Sequence, residues 1–331
     1  MSTLRDRIVT ITQQRKRRLI LPESDDARVL GAARHMFDAG MCEIILVGEP
    51  ATVRASADAA GVSIDGFTLL QPSADPQLQE LTQQYLMRRP KTSPQAAAGL
   101  MLEPVFYAAM LLRNKRADAM VAGAVLPTAR VIEAGLFCVG LAPDIKTASS
   151  YFAMEFPSGH ARSGEVFIFA DCAVVIDPSD TQLADIAIAS AHSATAVLQT
   201  EPHVALLSFS TKGSAKHASI DKIQRALELI KTRAPELSID GELQVDAALS
   251  MLVAQRKVSQ QSTVAGRANV LVFPDINAGN IAYKLTQYLG GANAYGPILQ
   301  GFDRPISDLS RGASEADIIM TAAITLATAS D

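Results

Sequence analysis

The sequence has 331 residues, a length that suggests about two domains, and its 48% hydrophobic and 19% charged residues support packed cores and exclude a disordered chain. Against 34 Asp and Glu stand 30 Lys and Arg, a net charge of -4, so no basic excess exists to release counterions and a nucleic-acid backbone is excluded as main partner. The most apolar stretch, 117–143, is interrupted by Asp118, Pro127, Arg130 and Glu133 and cannot cross a bilayer as one span.

In chain order, Arg5, Asp6 and Arg7 precede a β-branched run at 8–12, and Arg15, Lys16, Arg17 and Arg18 then read as a solvated turn. This is no secretion signal, because no apolar core and cleavage site follow a basic start. A strand at 18–21 leads into a turn at 22–24. Asp25 or Asp26 then caps a helix that buries Val29, Leu30, Ala33 and Met36 and ends at Gly40. Strands at 43–47 and 67–70 bracket a helix near 53–60, and two helices broken at 90–94 precede an apolar strand at 119–122. Short apolar strands between helices indicate a parallel sheet covered on both faces. Near Lys146 the pattern changes. Strands at 147–155, 165–169 and 173–176 lie too close together for intervening helices and predict an antiparallel meander. Alternation resumes with a helix at 183–198, a strand at 204–209, a helix at 221–232, a strand at 237–240, a further helix and a strand at 269–273. A domain boundary is placed near residue 146.

Cys42, Cys138 and Cys172 form no CxxC pair and no metal-ligand spacing with the five histidines, so no metal is expected. Their apolar surroundings suit buried free thiols in a reducing cytoplasm. Two loops after strands are rich in small polar residues, and open α/β sheets place ligands at such ends. One is Ser210-Thr211-Lys212-Gly213-Ser214; the other is Pro274-Asp275-Ile276-Asn277-Ala278-Gly279-Asn280, leading into a helix with Tyr283 and Lys284. Either can cradle a phosphate at a helix N-terminus, and either can be an ordinary turn. Neither matches a Walker or dinucleotide pattern. In the run from Ser307 to Asp317, Arg311 can bind an oxyanion bidentately, Ser310 can hydrogen-bond a developing charge and Asp317 can accept a proton. Ser314-x-x-Asp317 equally resembles a capping box. Arg88 and Arg89, beside a Pro-bounded turn, form either an anion clamp or a solvated helix end.

Over nearly its whole length the chain resembles the phosphate acetyl/butyryl transferase family. The resemblance rests on ILPESDDARVLGAA (20–33), MVAGAV (120–125), FADCAVVIDPSDTQLADIA (169–187) and ALLSFSTKGSA (205–215). It continues through DGELQVDAAL (240–249), VAGRANVLVFPDINAGNIAYKL (264–285), GPILQGFDRPISDLSRGAS (296–314) and Asp317. It implies two α/β domains with a cleft between them, an isocitrate/isopropylmalate dehydrogenase-like fold. The first domain would comprise 1–146 completed by 300–331, and the second 147–299. The implied activity is acetyl transfer between coenzyme A and phosphate by a cytoplasmic homodimer, with coenzyme A as substrate and no cofactor. Residue by residue, the resemblance puts the catalytic Ser-Arg pair on Ser310 and Arg311, the catalytic aspartate on Asp317 and a phosphate-binding arginine on Arg88.

One position departs. The family's second phosphate-binding arginine falls on Glu133, so Arg130 replaces it, the pocket differs, or activity is reduced or lost. On this reading the coenzyme A thiolate attacks acetyl phosphate directly in a ternary complex, with Asp317 as base and Arg311 and Arg88 on the phosphoryl group. Ser310 holds either the acetyl oxyanion or a phosphate oxygen. Ser210, Thr211, Asp275, Asn277, Asn280, Tyr283 and Lys284 complete the expected substrate contacts. The alternatives are a catalytically silent acetyl-CoA-binding regulatory module and a propionyl- or butyryltransferase.

Overall fold

The computed structural model describes residues 3–259 and 261–329, and the chain divides into two compact bodies, Arg5–Ala142 with Phe302–Asp331, and Pro143–Gly301 with Met1–Leu4. The N-terminal run that reads as β-branched is a helix, α1 (Leu4–Arg15), which seats Leu4, Ile8 and Ile11 in the core at three- and four-residue spacing. The basic cluster after it is not a solvated turn. Arg17 is buried and donates to the Leu326 carbonyl at 2.7 Å, while Arg18 pairs with Asp118 at 2.9 Å. Orphan carbonyls at the end of the C-terminal helix take up Arg15 and Arg17, which is why the charges turn inward.

β1 (Arg17–Leu21), α2 (Ala27–Asp38), β2 (Cys42–Val47), α3 (Pro50–Ala60) and β3 (Thr68–Leu70) follow the alternation expected from the sequence. Asp26 caps α2 by accepting from the Arg28 and Val29 N–H groups. Three helices rather than two come next, α4 (Leu78–Arg88), α5 (Pro94–Leu102) and α6 (Pro104–Arg113), because Pro104 breaks the second run at Glu103. β4 (Ala119–Ala122) and the short α7 (Thr128–Ala134) complete this part of the first body.

In the second body β5 (Ser149–Glu155) and β6 (Val166–Ala170) are antiparallel, as the pattern predicts. The stretch 173–176 is not a third strand. It is a loop whose N–H groups at Ala173, Val174 and Val175 converge on the Asp171 carboxylate, which removes them from any ladder. α8 (Asp180–Leu198), β7 (His203–Leu207), α9 (Ala218–Arg233), β8 (Ser238–Leu243), α10 (Val245–Leu249), α11 (Met251–Lys257), β9 (Val270–Val272), α12 (Ile276–Tyr288) and β10 (Asn293–Gln300) make up the rest. This sheet has the order β10-β5-β6-β9-β7-β8, antiparallel at the β10 side and parallel from β6 onward.

The chain then supplies β11 (Ile306–Asp308) and α13 (Glu315–Thr328) to the first body, whose sheet has the order β11-β4-β1-β2-β3 and is parallel throughout. α13 buries every residue from Ile318 to Ala327. Cys42, Cys138 and Cys172 are free and buried, and burial pushes the Cys42 and Cys138 thiols up to about 12. Among the described residues no single helix is long and apolar enough to cross a membrane.

Candidate functional site

Because the first sheet is wholly parallel, the carboxyl ends of its strands share one edge. Its order puts β4 and β11 on one side of β1, and β2 and β3 on the other. Such a reversal of winding is where open α/β sheets form ligand sites. The loops after β1, β4 and β11 are tied together there by two side chains that the sequence reading left without a role.

Glu23, buried two residues after β1, accepts four backbone N–H bonds from the loop after β4. Its Oε2 takes Gly123 and Ala124, both at 2.8 Å, and its Oε1 takes Val125 at 2.9 Å and Leu126 at 2.7 Å. Arg28, in the first turn of α2, pairs with Asp26 at 2.8 Å and donates to the carbonyls of Arg311, Ala313 and Ala124, each at 2.9 Å. Burial would raise the Asp26 carboxyl, but the Arg28 bonds and the Val29 N–H outweigh it and hold Asp26 below the usual carboxylate range. The signal for both side chains was an acid two residues after a strand and an arginine at the second position of the helix that follows.

This frame carries three of the expected residues. Ser310 and Arg311 lie exposed on the loop after β11, where Ser310 Oγ accepts from the Gly312 N–H at 3.3 Å and Ser310 O from Ala313 N–H at 2.8 Å. The Arg311 side chain has no hydrogen-bond or ion-pair partner among the described residues, although its carbonyl is fixed by Arg28. Asp317 forms the capping box of α13. Its Oδ2 accepts from Ser314 N at 2.9 Å and Ser314 Oγ at 2.7 Å, which leaves Oδ1 free to take a proton.

Arg88 lies in the same body, at the end of α4. It donates from Nη2 to the Val139 carbonyl at 3.3 Å, and Arg113 donates to the same oxygen at 2.8 Å. Its Nε is buried without a partner, and no carboxylate pairs with it among the described residues. Burial, then the neighbouring Arg113, pushes the Arg88 guanidinium below its ordinary value. Gly140 permits this approach, since a Cβ there would lie 2.4 Å from Arg88 Nη2. Arg89 instead stacks on the Phe137 ring at 3.6 Å.

Arg130 is engaged. Its guanidinium bonds both oxygens of Glu103 at 2.7 and 2.6 Å and Glu133 at 2.5 Å, and lies over the Phe106 ring. Burial lowers its pKa, but the two carboxylates dominate and raise it.

The other expected residues belong to the second body. The Ser210-to-Ser214 loop closes on a carboxylate of its own chain. Glu242 accepts from Ser210 Oγ at 2.9 Å, Gly213 N at 2.7 Å and Gln224 Nε2 at 3.1 Å, while Thr211 Oγ1 donates to Gln244 at 3.3 Å. Burial raises the Glu242 carboxyl, yet these donors outweigh it and the net direction is down. Lys212 pairs with Asp240. Asp275 caps α12 through the Ala278 N–H at 3.0 Å, Asn280 donates to the Cys172 carbonyl at 3.1 Å, and Tyr283 stacks on Phe152 at 4.0 Å. Asn277 and Lys284 are exposed. Among the described residues no three His, Cys, Asp or Glu side chains come together in a metal-holding group.

Comparison with known proteins gives these residues a context. Residues 3–326 match the model of the family described as phosphate acetyl/butaryl transferase. The chain is 42% identical over 319 residues to a phosphate acetyltransferase of Treponema pallidum, covering 94% of each, and 42% identical over 324 residues to one of Paracoccus denitrificans, covering 97% of each. A crystal structure of a phosphotransacetylase from Streptococcus pyogenes superposes with a TM-score of 0.92 at 35% identity, over 99% of this chain and 98% of that one. Sequence and fold agree along the whole length, and the chain belongs to the phosphate acetyl/butaryl transferase family.

Proposed function

We propose that this chain is an enzyme that transfers an acetyl group between acetyl phosphate and coenzyme A. Relatives that align over more than nine-tenths of the chain are phosphate acetyltransferases. The single structural observation that carries the reading is the unpartnered Arg311 guanidinium, on a loop clamped by Arg28 at the winding reversal of a parallel sheet. A fixed backbone with a free cation is preorganised for an anionic substrate.

The free thiol of coenzyme A has a pKa of about 8.5, so its conversion to thiolate near neutral pH benefits from a base. Asp317 Oδ1 takes that proton. The sulfur forms a bond to the acetyl carbon, the bond from that carbon to the bridging oxygen breaks, and phosphate leaves with the electron pair and the bridging oxygen. Arg311 and Arg88 hold the phosphoryl oxygens and balance the charge that develops on them. Ser310 donates to an oxygen of the same group. Arg88 suits this role because it is partly desolvated and, among the described residues, no carboxylate forms an ion pair with it, Asp303 acting only at a distance. Arg130, paired with Glu103 and Glu133, meets an anion only by exchanging a carboxylate for it, so the affinity for acetyl phosphate is reduced.

The proposed assembly is a homodimer. It is supported by an apolar stripe on one face of α12, where Ile281, Leu285, Tyr288 and Leu289 are 57, 52, 80 and 82% exposed. A cytoplasmic location is supported by three buried, reduced thiols.

Thioester formation followed by ultraviolet absorbance, with purified protein, coenzyme A and acetyl phosphate, tests the activity. Steady turnover that Arg311→Ala lowers by about two to three orders of magnitude is expected. Absence of turnover in the unmodified protein, with coenzyme A still bound, overturns the reading in favour of a binding module.

A further inference from the structure

We infer that Asp308 is a positioning residue for the Ser310–Arg311 loop, joining the end of β11 to the start of α7 through Thr128. The inference rests on the reading of Ser310 and Arg311 as reacting groups and adds the element that sets where they stand.

Asp308 is the last residue of β11, opposite Ala122 in register, and only one residue separates it from Ser310. It is 2% exposed. Its Oδ2 accepts the Thr128 hydroxyl at 2.5 Å, and its Oδ1 is buried with no hydrogen-bond partner. A carboxylate kept in that condition on a three-residue strand is costly unless it fixes something. What it fixes is the junction of two loops. Gly123, at φ +105°, passes so close that a Cβ would lie 2.3 Å from Asp308 Oδ1. The next residue, Leu309, donates its N–H to the Ala122 carbonyl at 2.8 Å. The loop after β4 is thus held from one side by Glu23 and from the other by Asp308, and α7 starts at the hydroxyl that Asp308 binds.

The charged groups around this junction are Glu23 after β1 and the Arg28–Asp26 pair of α2. α7 presents the Thr128 hydroxyl, and behind β11 Ser307 accepts from Thr325 of α13. Burial is the main influence on Asp308 and pushes its carboxyl up to about 6; the Thr128 bond and the nearby Leu309 N–H, which is itself turned to the Ala122 carbonyl, oppose this and Glu23 adds to it. Ionisation of Asp308 therefore places its negative charge against the loop that Glu23 holds.

The test compares Asp308→Ala, Asp308→Asn, Thr128→Ala and Arg311→Ala in the thioester assay across pH, with melting temperatures recorded for each. Losing the tether displaces the loop, so Asp308→Ala and Thr128→Ala each lower kcat by about tenfold to a hundredfold with little change in KM. Their combination is no worse than either alone, because both cut the same bond. Asp308→Asn keeps an acceptor for Thr128 and is expected to restore most of kcat and to lose the inflection near pH 6 expected of the unmodified enzyme. Folded Asp308→Ala and Thr128→Ala proteins with kcat within about twofold of normal, beside an inactive Arg311→Ala, overturn this inference alone. Retention of the inflection in Asp308→Asn also overturns it. Full turnover by Arg311→Ala overturns the reading of the loop and this inference with it.

Discussion

The guanidinium of Arg28 donates to the backbone carbonyl of Arg311 at 2.9 Å, so one arginine holds the main chain of another and leaves the second side chain free. The same Arg28 fork reaches Ala313 and Ala124 and rests on Asp26. Arg28 is half-buried, and its value lies in the number of carbonyls it gathers rather than in buried charge.

Arg28→Ala is accordingly expected to lower kcat by about tenfold to a hundredfold through misplacement of the Ser310–Arg311 loop. Arg28→Lys should recover little, because an ammonium cannot reproduce a planar fork on three carbonyls. Steady-state kinetics of both variants check this, and a lysine variant with normal kcat would refute the geometric account.

Glu23→Gln replaces one carboxylate oxygen with an N–H₂ that faces two backbone N–H groups. Leaving buried donors unsatisfied costs roughly 1–3 kcal/mol each. A destabilisation of about 2–4 kcal/mol in urea unfolding is expected, together with reduced turnover.

The stability contributed by Asp308 depends on pH in the direction set by its raised carboxyl, about 6 in the fold against an ordinary 3.8. The folded state binds the proton more tightly, so this contribution is complete below pH 3.8 and is lost as pH rises through 6. Asp308→Asn should therefore equal the unmodified protein near pH 4 and exceed it by roughly 2–3 kcal/mol at pH 8. Urea midpoints at the two pH values measure the difference.

Glu133→Gln removes one of the two carboxylates that hold Arg130. A fall of about twofold to fivefold in KM for acetyl phosphate with kcat retained is expected, on the scale of an exposed ion pair of up to about 1 kcal/mol. An unchanged KM would place Arg130 outside the phosphate path.

Ser210→Ala separates two roles for the small polar loop. Ser210 donates to the buried Glu242, so its loss should destabilise the protein by about 1–2 kcal/mol while KM for coenzyme A stays the same. A large rise in KM without a change in melting temperature would make the loop a substrate contact.

Local chemistry in the chain was enough to read β1 and β2, the hydrophobic face of α2 and the antiparallel β5–β6 pair, and to narrow the α2 cap to Asp25 or Asp26 and offer the Ser314–Asp317 box as one of two readings, because each depends on near neighbours in the chain. The resemblance singled out Ser310, Arg311, Asp317 and Arg88 as the residues expected to carry the chemistry. Tertiary structure alone decided the rest. The β-branched run at 8–12 became helical because three apolar residues on one face found a core. Residues 173–176 left the sheet when Asp171 drew in their N–H groups. The anion that the 210–214 loop cradles is Glu242, 29 residues beyond Gly213, a partner that loop composition does not name. Glu23, Arg28 and Asp308 acquire their roles only where parallel strands bring the ends of β1, β4 and β11 to one edge. Hydrogen bonds across 100 to 285 residues follow from packing, not from spacing along the chain.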